Sequence, residues 1–106
     1  MAWRWIRLGC TGLVAAAMGC GHPIYIARVA QASAELTRAE QLDAAEKAPY
    51  EYYYALEHLR QARSEGLEAD YGQATALAQV AFDYASRAVE VAQRVGPAPA
   101  APVRGP

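Results

Sequence analysis

The chain has 106 residues, of which 54% are apolar and 20% charged, and its formal net charge at pH 7 is −1. This length is sufficient for one small domain with a thin core. The charge is mildly acidic, and more so from Cys20 onward, which argues against a protein that binds nucleic acid or anionic lipid headgroups by electrostatic attraction.

Residues 1–19 have the pattern of a secretory signal peptide. Arg4 and Arg7 precede an uncharged run that begins at Leu8 and ends at Gly19. As a helix this run would be about 18 Å long, at roughly 1.5 Å per residue. The hydrocarbon core of a bilayer is about 30 Å thick, so the run is short for a transmembrane anchor. We therefore expect a cleaved targeting segment.

Cys20 directly follows Gly19, and the segment resembles a bacterial lipoprotein signal with Ala17 at the position where Leu is preferred. The resemblance implies cleavage between Gly19 and Cys20, a covalent lipid such as palmitate on Cys20, and membrane attachment through acyl chains. Because Gly21 rather than Asp comes next, it also implies the outer membrane, facing the periplasm. An ordinary cleaved signal, which would give a periplasmic protein, and an uncleaved N-terminus remain open.

Processing at this point would simplify the mature chain. Trp3, Trp5 and Cys10 would leave with the signal peptide, and the remaining 87 residues would carry one cysteine, no tryptophan and a net charge of −3. A single cysteine cannot form an internal disulfide. The mature fold therefore gains no covalent cross-link from a disulfide.

The first two predicted helices follow a short spacer at residues 20–23. The first covers 24–47, and its apolar residues recur at four-three spacing, which places them on one face; they are Tyr25, Val29, Ala32, Leu36 and Ala39. Pro49 opens a second helix over about 50–66, with Gly66 as its candidate terminator. A single kinked helix across Ala48–Pro49 is the alternative.

The third predicted helix, residues 71–95, has the clearest pattern. Asp70 and Gln73 form a capping box at its start, and Gly96 is expected to end it. Asp83 and Arg87 have the spacing of an ion pair. Its inward seam is almost entirely alanine, at three-four spacing: Tyr71, Ala74, Ala78, Ala81, Ala85, Ala88, Ala92 and Val95.

These elements predict an all-α fold, a small antiparallel three-helix bundle running up-down-up over 24–95. Residues 96–106, GPAPAAPVRGP, are rich in Pro, Ala and Gly. We expect this segment to be a disordered tail.

A proline-opened helix followed by an Asp-Tyr start and spaced alanines is similar to bacterial envelope lipoproteins that carry the "domain of unknown function 4398". The likeness covers roughly residues 27–94. It implies an envelope lipoprotein and supplies no catalytic residue. The matching positions are Pro49, Glu51, Leu59, Ala62–Arg63, Asp70–Tyr71, Ala74, Leu77–Ala78 and Ala81.

No pattern in the sequence predicts catalysis. His22 and His58 are far apart and lack metal-ligand spacing, and we expect His58 at a surface or boundary position. The carboxylates are scattered over helix faces, and no serine has the context of a nucleophile. We therefore expect no enzyme, no metal, no cofactor apart from the lipid on Cys20, and no small-molecule substrate.

The tyrosines in residues 50–54, YEYYY, are the most unusual feature. Successive helical residues step about 100° around the axis, so the rings cannot all face inward. They either pad a thin core or form a partner surface, for which Tyr50, Tyr53 and Tyr54 are the candidates. This favours a lipid-anchored adaptor that contacts an envelope protein or a second copy of itself. The alternatives are a tethered structural spacer and a soluble periplasmic helical protein.

Overall fold

The computed structural model describes residues 21–96 and contains four helices in that range. They are α1 (Gly21–Gln41), α2 (Ala44–Lys47), α3 (Pro49–Leu67) and α4 (Tyr71–Val95). Residues 21–96 contain no strand, which confirms the predicted all-α class. The predicted signal peptide, its cleavage site at Gly19 and Cys20, and residues 97–106 of the predicted tail lie outside the described residues.

The longest helix, α4, is the central element, because α1 and α3 both pack along it and contact each other less. The ring of Tyr25 at the start of α1 lies 5.5 Å from that of Tyr71 at the start of α4. Tyr52 near the start of α3 is hydrogen-bonded to Glu40 near the end of α1. The direction of α3 is therefore opposite to that of α1 and α4.

The core between these helices is built mainly from alanine. Of the sixteen buried hydrophobic residues in the described chain, twelve are alanine, and the other four are Leu36, Tyr52, Leu59 and Val89. Small side chains let helix axes approach to the short end of the usual spacing of about 8–10 Å. The six alanines of the predicted seam are buried, whereas Val95 is 55% exposed and Tyr71 is only partly buried.

The N-terminal part of the fold differs from the prediction in two places. Residues 21–23 belong to α1 rather than to a spacer, because Pro23 lies in the first turn, where a helix needs no N–H from it. The helix predicted over 24–47 is divided at Leu42 and Asp43, and α2 is a separate single turn. Asp43 has a left-handed backbone with φ of 58°, a conformation that aspartate tolerates better than most residues.

Ala48 separates α2 from α3, so the alternative of one kinked helix across Ala48–Pro49 is wrong. Its backbone leaves the helical region, with φ of −140° and ψ of 59°, and the α conformation is disfavoured for a residue before proline. Pro49 is the first residue of α3. The chain therefore bends twice within a few residues and reverses direction between α1 and α3.

Gly66 does not terminate α3, which continues to Leu67. The turn residue is Ala69, with a left-handed φ of 63°. The Ala69 N–H donates to the Gly66 carbonyl at 3.1 Å and the Asp70 N–H donates to the Glu65 carbonyl at 3.0 Å, which is the Schellman pattern. Gly66 has another role, since a Cβ there would overlap the hydroxyl end of the Tyr25 ring.

Candidate interaction surface

The three tyrosines predicted as a partner surface differ in exposure. Tyr50 is 65% exposed and Tyr53 is 56% exposed, whereas Tyr54 is partly buried. Tyr52, between them in sequence, is buried at 7% exposure. The helical step of about 100° per residue accounts for this order, because only one of four closely spaced rings can point at the core.

Tyr50 and Tyr54 belong to a cluster that we call the tyrosine ridge, which comprises Tyr50, Tyr54, His58 and Tyr84. The Tyr54 ring centroid lies 4.2 Å from that of His58 and 4.2 Å from that of Tyr84. Tyr50 lies 5.7 Å from Tyr54 and 6.3 Å from Tyr84. These spacings are typical of attractive aromatic pairs. The ridge joins α3 to α4 along the outer edge of their interface.

Two polar contacts fix the geometry of the ridge. The Nδ1–H of His58 donates to the backbone carbonyl of Tyr54 at 2.9 Å, which orients the imidazole parallel to the neighbouring ring. The Arg87 guanidinium carbon lies 4.6 Å from the Tyr84 ring centroid, within the range of a cation–π contact. Arg87 therefore packs on the ridge and does not form the predicted ion pair with Asp83. The Asp83 carboxylate instead accepts a hydrogen bond from the Gln79 amide at 3.0 Å.

Tyr53 is not part of the ridge. Its ring packs edge-on against Tyr52, with centroids 5.0 Å apart, on the side of α3 that approaches α1. The structure brings the rings of Tyr50 and Tyr54 together, whereas the Tyr53 ring contacts Tyr52 instead. Tyr50 and Tyr53 are three residues apart, which places them on neighbouring positions of one exposed helix face. That Tyr50, Tyr53 and Tyr54 act as one partner surface stays a prediction.

Sequence reasoning also missed Tyr84, His58 and Arg87 as members of this surface. One signal was available. Tyr54 and Tyr84 each lie thirteen residues from the helix end that adjoins the turn between α3 and α4. In an antiparallel pair joined by a short turn, such positions lie opposite each other.

Tyr52 ties α3 to α1 through its hydroxyl, which donates to Glu40 Oε1 at 2.7 Å. Burial of the phenol, with the adjacent Glu40 carboxylate as acceptor, raises the pKa of Tyr52 to about 12. Both effects favour the neutral hydroxyl, because the phenolate would be poorly solvated and repelled by Glu40. Tyr52 is thus a structural tyrosine, in contrast to its exposed neighbours.

A second aromatic group, which we call the end cluster, comprises His22, Tyr25 and Tyr71. His22 stands edge-on to Tyr71 with centroids 4.8 Å apart, and Tyr25 lies 6.3 Å from His22. The rings come from the starts of α1 and α4, and the Tyr25 ring also lies over Gly66 near the end of α3. This cluster therefore ties all three long helices together at the end where the described chain begins.

The described residues offer little for chemistry. Between residues 21 and 96 no group of three or more histidine, aspartate or glutamate side chains is placed to hold a metal ion. A shallow depression near the end of α4 is lined by the exposed polar side chains of Glu90, Gln93 and Arg94. None of the four described helices is long and apolar enough to cross a bilayer.

No family model, curated protein or solved structure matches this chain. The similarity to the "domain of unknown function 4398" lipoproteins therefore stays a prediction from the sequence motifs.

Proposed function

We propose that the protein is a lipid-anchored component of the bacterial cell envelope whose antiparallel three-helix bundle serves as a non-catalytic interaction module. Its mature chain begins at an acylated Cys20 and faces the periplasm from the outer membrane. The exposed tyrosines on α3 contact another envelope protein. The N-terminal sequence supports the anchor, and the exposure of Tyr50 and Tyr53 supports the interaction.

The exposure of these rings is the observation that carries the proposal. Tyr50 and Tyr53 leave more than half of their surface in water. Tyrosine is common at protein interfaces, because its ring and hydroxyl supply a large contact area at low entropic cost on binding. The neighbouring Tyr54 ring is held between His58 and Tyr84. A partner would therefore meet a surface that is partly ordered before binding, which lowers the entropic cost of association.

The anchor is tested by expressing the full-length chain in a bacterium with two membranes, with palmitate labelling and membrane fractionation. The wild type should incorporate label and partition into the outer membrane, and Cys20→Ala should do neither. A wild type that is unlabelled and soluble in the periplasm would overturn the lipoprotein assignment and favour the soluble alternative.

The interaction is tested by crosslinking in intact cells. Tyr50→Ala with Tyr53→Ala should abolish the crosslinked species, whereas the matched control, Gln61→Ala with Arg63→Ala at exposed positions of the same helix, should retain it. Helical circular dichroism should be unchanged in both variants. Crosslinks that survive the tyrosine changes would argue against this surface, and a crosslinked species containing only this chain would identify self-association.

A further inference from the structure

Exposed apolar side chains gather at the end of the molecule that carries the end cluster. Ile24 is 54% exposed and Ile26 is 51% exposed, both in the first two turns of α1. Leu67, the last residue of α3, is 90% exposed. These positions lie at one end because Tyr25, between the two isoleucines, packs over Gly66, next to Leu67.

This end is also where the proposed anchor joins. Helix α1 begins at Gly21, the residue directly after Cys20 in the sequence. No linker therefore separates the proposed acylated residue from the first turn of the folded body. A body attached in this way is held within about one helical turn, roughly 5 Å, of the lipid headgroups.

We propose that this end of the protein rests on a phospholipid surface, with the side chains of Leu67 and Ile24 inserted among the headgroups. The proposal rests on the lipid anchor at Cys20. Transfer of a leucine or isoleucine side chain out of water lowers the free energy. The lipid anchor has already restricted the protein to the membrane surface, so no further translational entropy is lost when these side chains insert. The rings of His22, Tyr25 and Tyr71 lie at the same level, and aromatic side chains with a polar tip favour the membrane interface.

The charges near Leu67 define the kind of lipid. Glu65, Glu68 and Asp70 lie within three residues of it, so this end presents carboxylates to the membrane. Anionic headgroups would repel them, whereas a zwitterionic surface such as phosphatidylethanolamine would not. The surface that fits is therefore zwitterionic.

This orientation also places the exposed tyrosines. Tyr53 lies fourteen residues before Leu67 on the same helix, which corresponds to about 21 Å at 1.5 Å per residue. The partner surface would then lie at roughly that height above the bilayer.

Tryptophan reporters test the contact, because the processed chain has no tryptophan of its own. Leu67→Trp and, separately, Ile24→Trp are expressed in the full-length chain, and the purified lipidated proteins are placed in phosphatidylethanolamine–phosphatidylcholine vesicles whose acyl chains are brominated. Tyr53→Trp is the matched control, an exposed aromatic position far from the proposed contact. Intact mass of each protein reports the lipid on Cys20 independently of the fluorescence.

We expect both reporters at the anchored end to lose most of their fluorescence and shift to the blue, while the Tyr53→Trp control keeps its intensity. Adding phosphatidylglycerol to the vesicles should reduce the loss. A correct lipidated mass with unquenched Leu67→Trp and Ile24→Trp would overturn the proposed contact and leave the anchor standing. A mass without lipid would overturn both proposals together.

Discussion

The α4 seam and the tyrosine ridge lie side by side yet are built in opposite ways. The seam is made of alanines with almost no exposed surface, such as Ala78, Ala81 and Ala85. The ridge is made of large rings that keep part of their surface in water. The comparison indicates that a seam of small side chains lets helices pack closely, whereas the rings of the ridge lie along the edge of the α3–α4 interface. Of the seven tyrosines, only Tyr52 is buried.

The largest effect is expected from a bulky residue in the seam. Ala81→Leu should lower the free energy of unfolding by about 3 kcal/mol, because the three added carbon atoms cannot fit beside the buried Ala81 position without separating α4 from its neighbours. The control is Ala76→Leu at an exposed position of the same helix, which should change it by no more than about 0.5 kcal/mol. Urea unfolding followed by circular dichroism measures both. Equal effects at the two positions would show that the seam is not tightly packed.

Removal of the central ring of the ridge should have a smaller effect. Tyr84→Ala deletes a half-buried ring that contacts Tyr54, Tyr50 and Arg87, and we expect a loss of about 2 kcal/mol. Tyr53→Ala should cost only about 0.5 kcal/mol, because that ring is mostly exposed. The same unfolding assay compares the two variants. A larger loss of unfolding free energy for Tyr53→Ala than for Tyr84→Ala would contradict the conclusion that the Tyr84 ring is the more tightly packed of the two.

The one buried tyrosine should show a distinctive pH dependence. Tyr52→Phe removes the hydroxyl that donates to Glu40 and should cost about 1 kcal/mol near neutral pH. Because folding raises the pKa of Tyr52 from 10.0 to about 12, its contribution is complete below about pH 10 and is lost as the pH rises through about 12. The difference between wild type and Tyr52→Phe should therefore shrink over this range. A constant difference in unfolding free energy from pH 8 to 12 would contradict it.

The smallest effect is expected at the turn between α3 and α4. Ala69 has a positive φ, which costs a residue with a Cβ about 1 kcal/mol. Ala69→Gly relieves this strain but adds freedom to the unfolded chain, so we expect a net gain of about 0.5 kcal/mol. Ala76→Gly, within a helix, should instead lose about 1 kcal/mol. Thermal unfolding that gives the two glycine variants the same sign would contradict this account of the turn.

Short-range spacing was enough to predict several of these features. The Asp70 side chain accepts from the Gln73 N–H at 3.3 Å, which is one half of the predicted capping box. The other half is not formed, because the Asp70 N–H donates to the Glu65 carbonyl. The alanine seam could be identified for the same reason, since it depends only on helical periodicity. Such patterns need no knowledge of neighbouring helices.

Features set by tertiary contacts could not be predicted in this way. Asp43 and Ala69 adopt left-handed conformations without a glycine to signal them, because packing of the adjoining helices compensates for their strain. Gly66 has the sequence signature of a helix end. Its lack of a side chain is instead explained by the Tyr25 ring, from some forty positions earlier in the chain, which occupies the space that a Cβ would need. The separation of Tyr53 from Tyr54 likewise depends on which helix lies beside each face of α3.

The central position of α4 has a consequence for the order in which the chain folds. The first described helix, α1, packs mainly on α4, the last described helix, so α1 has no complete docking surface until α4 has been made. The α3–α4 hairpin closes over a turn of three residues, and short loops cost little entropy to close. We expect this hairpin to nucleate folding and α1 to dock afterwards. This order of folding is compatible with the proposed export of an unfolded chain, because the described part of the chain would stay incompletely folded until α4 has been made.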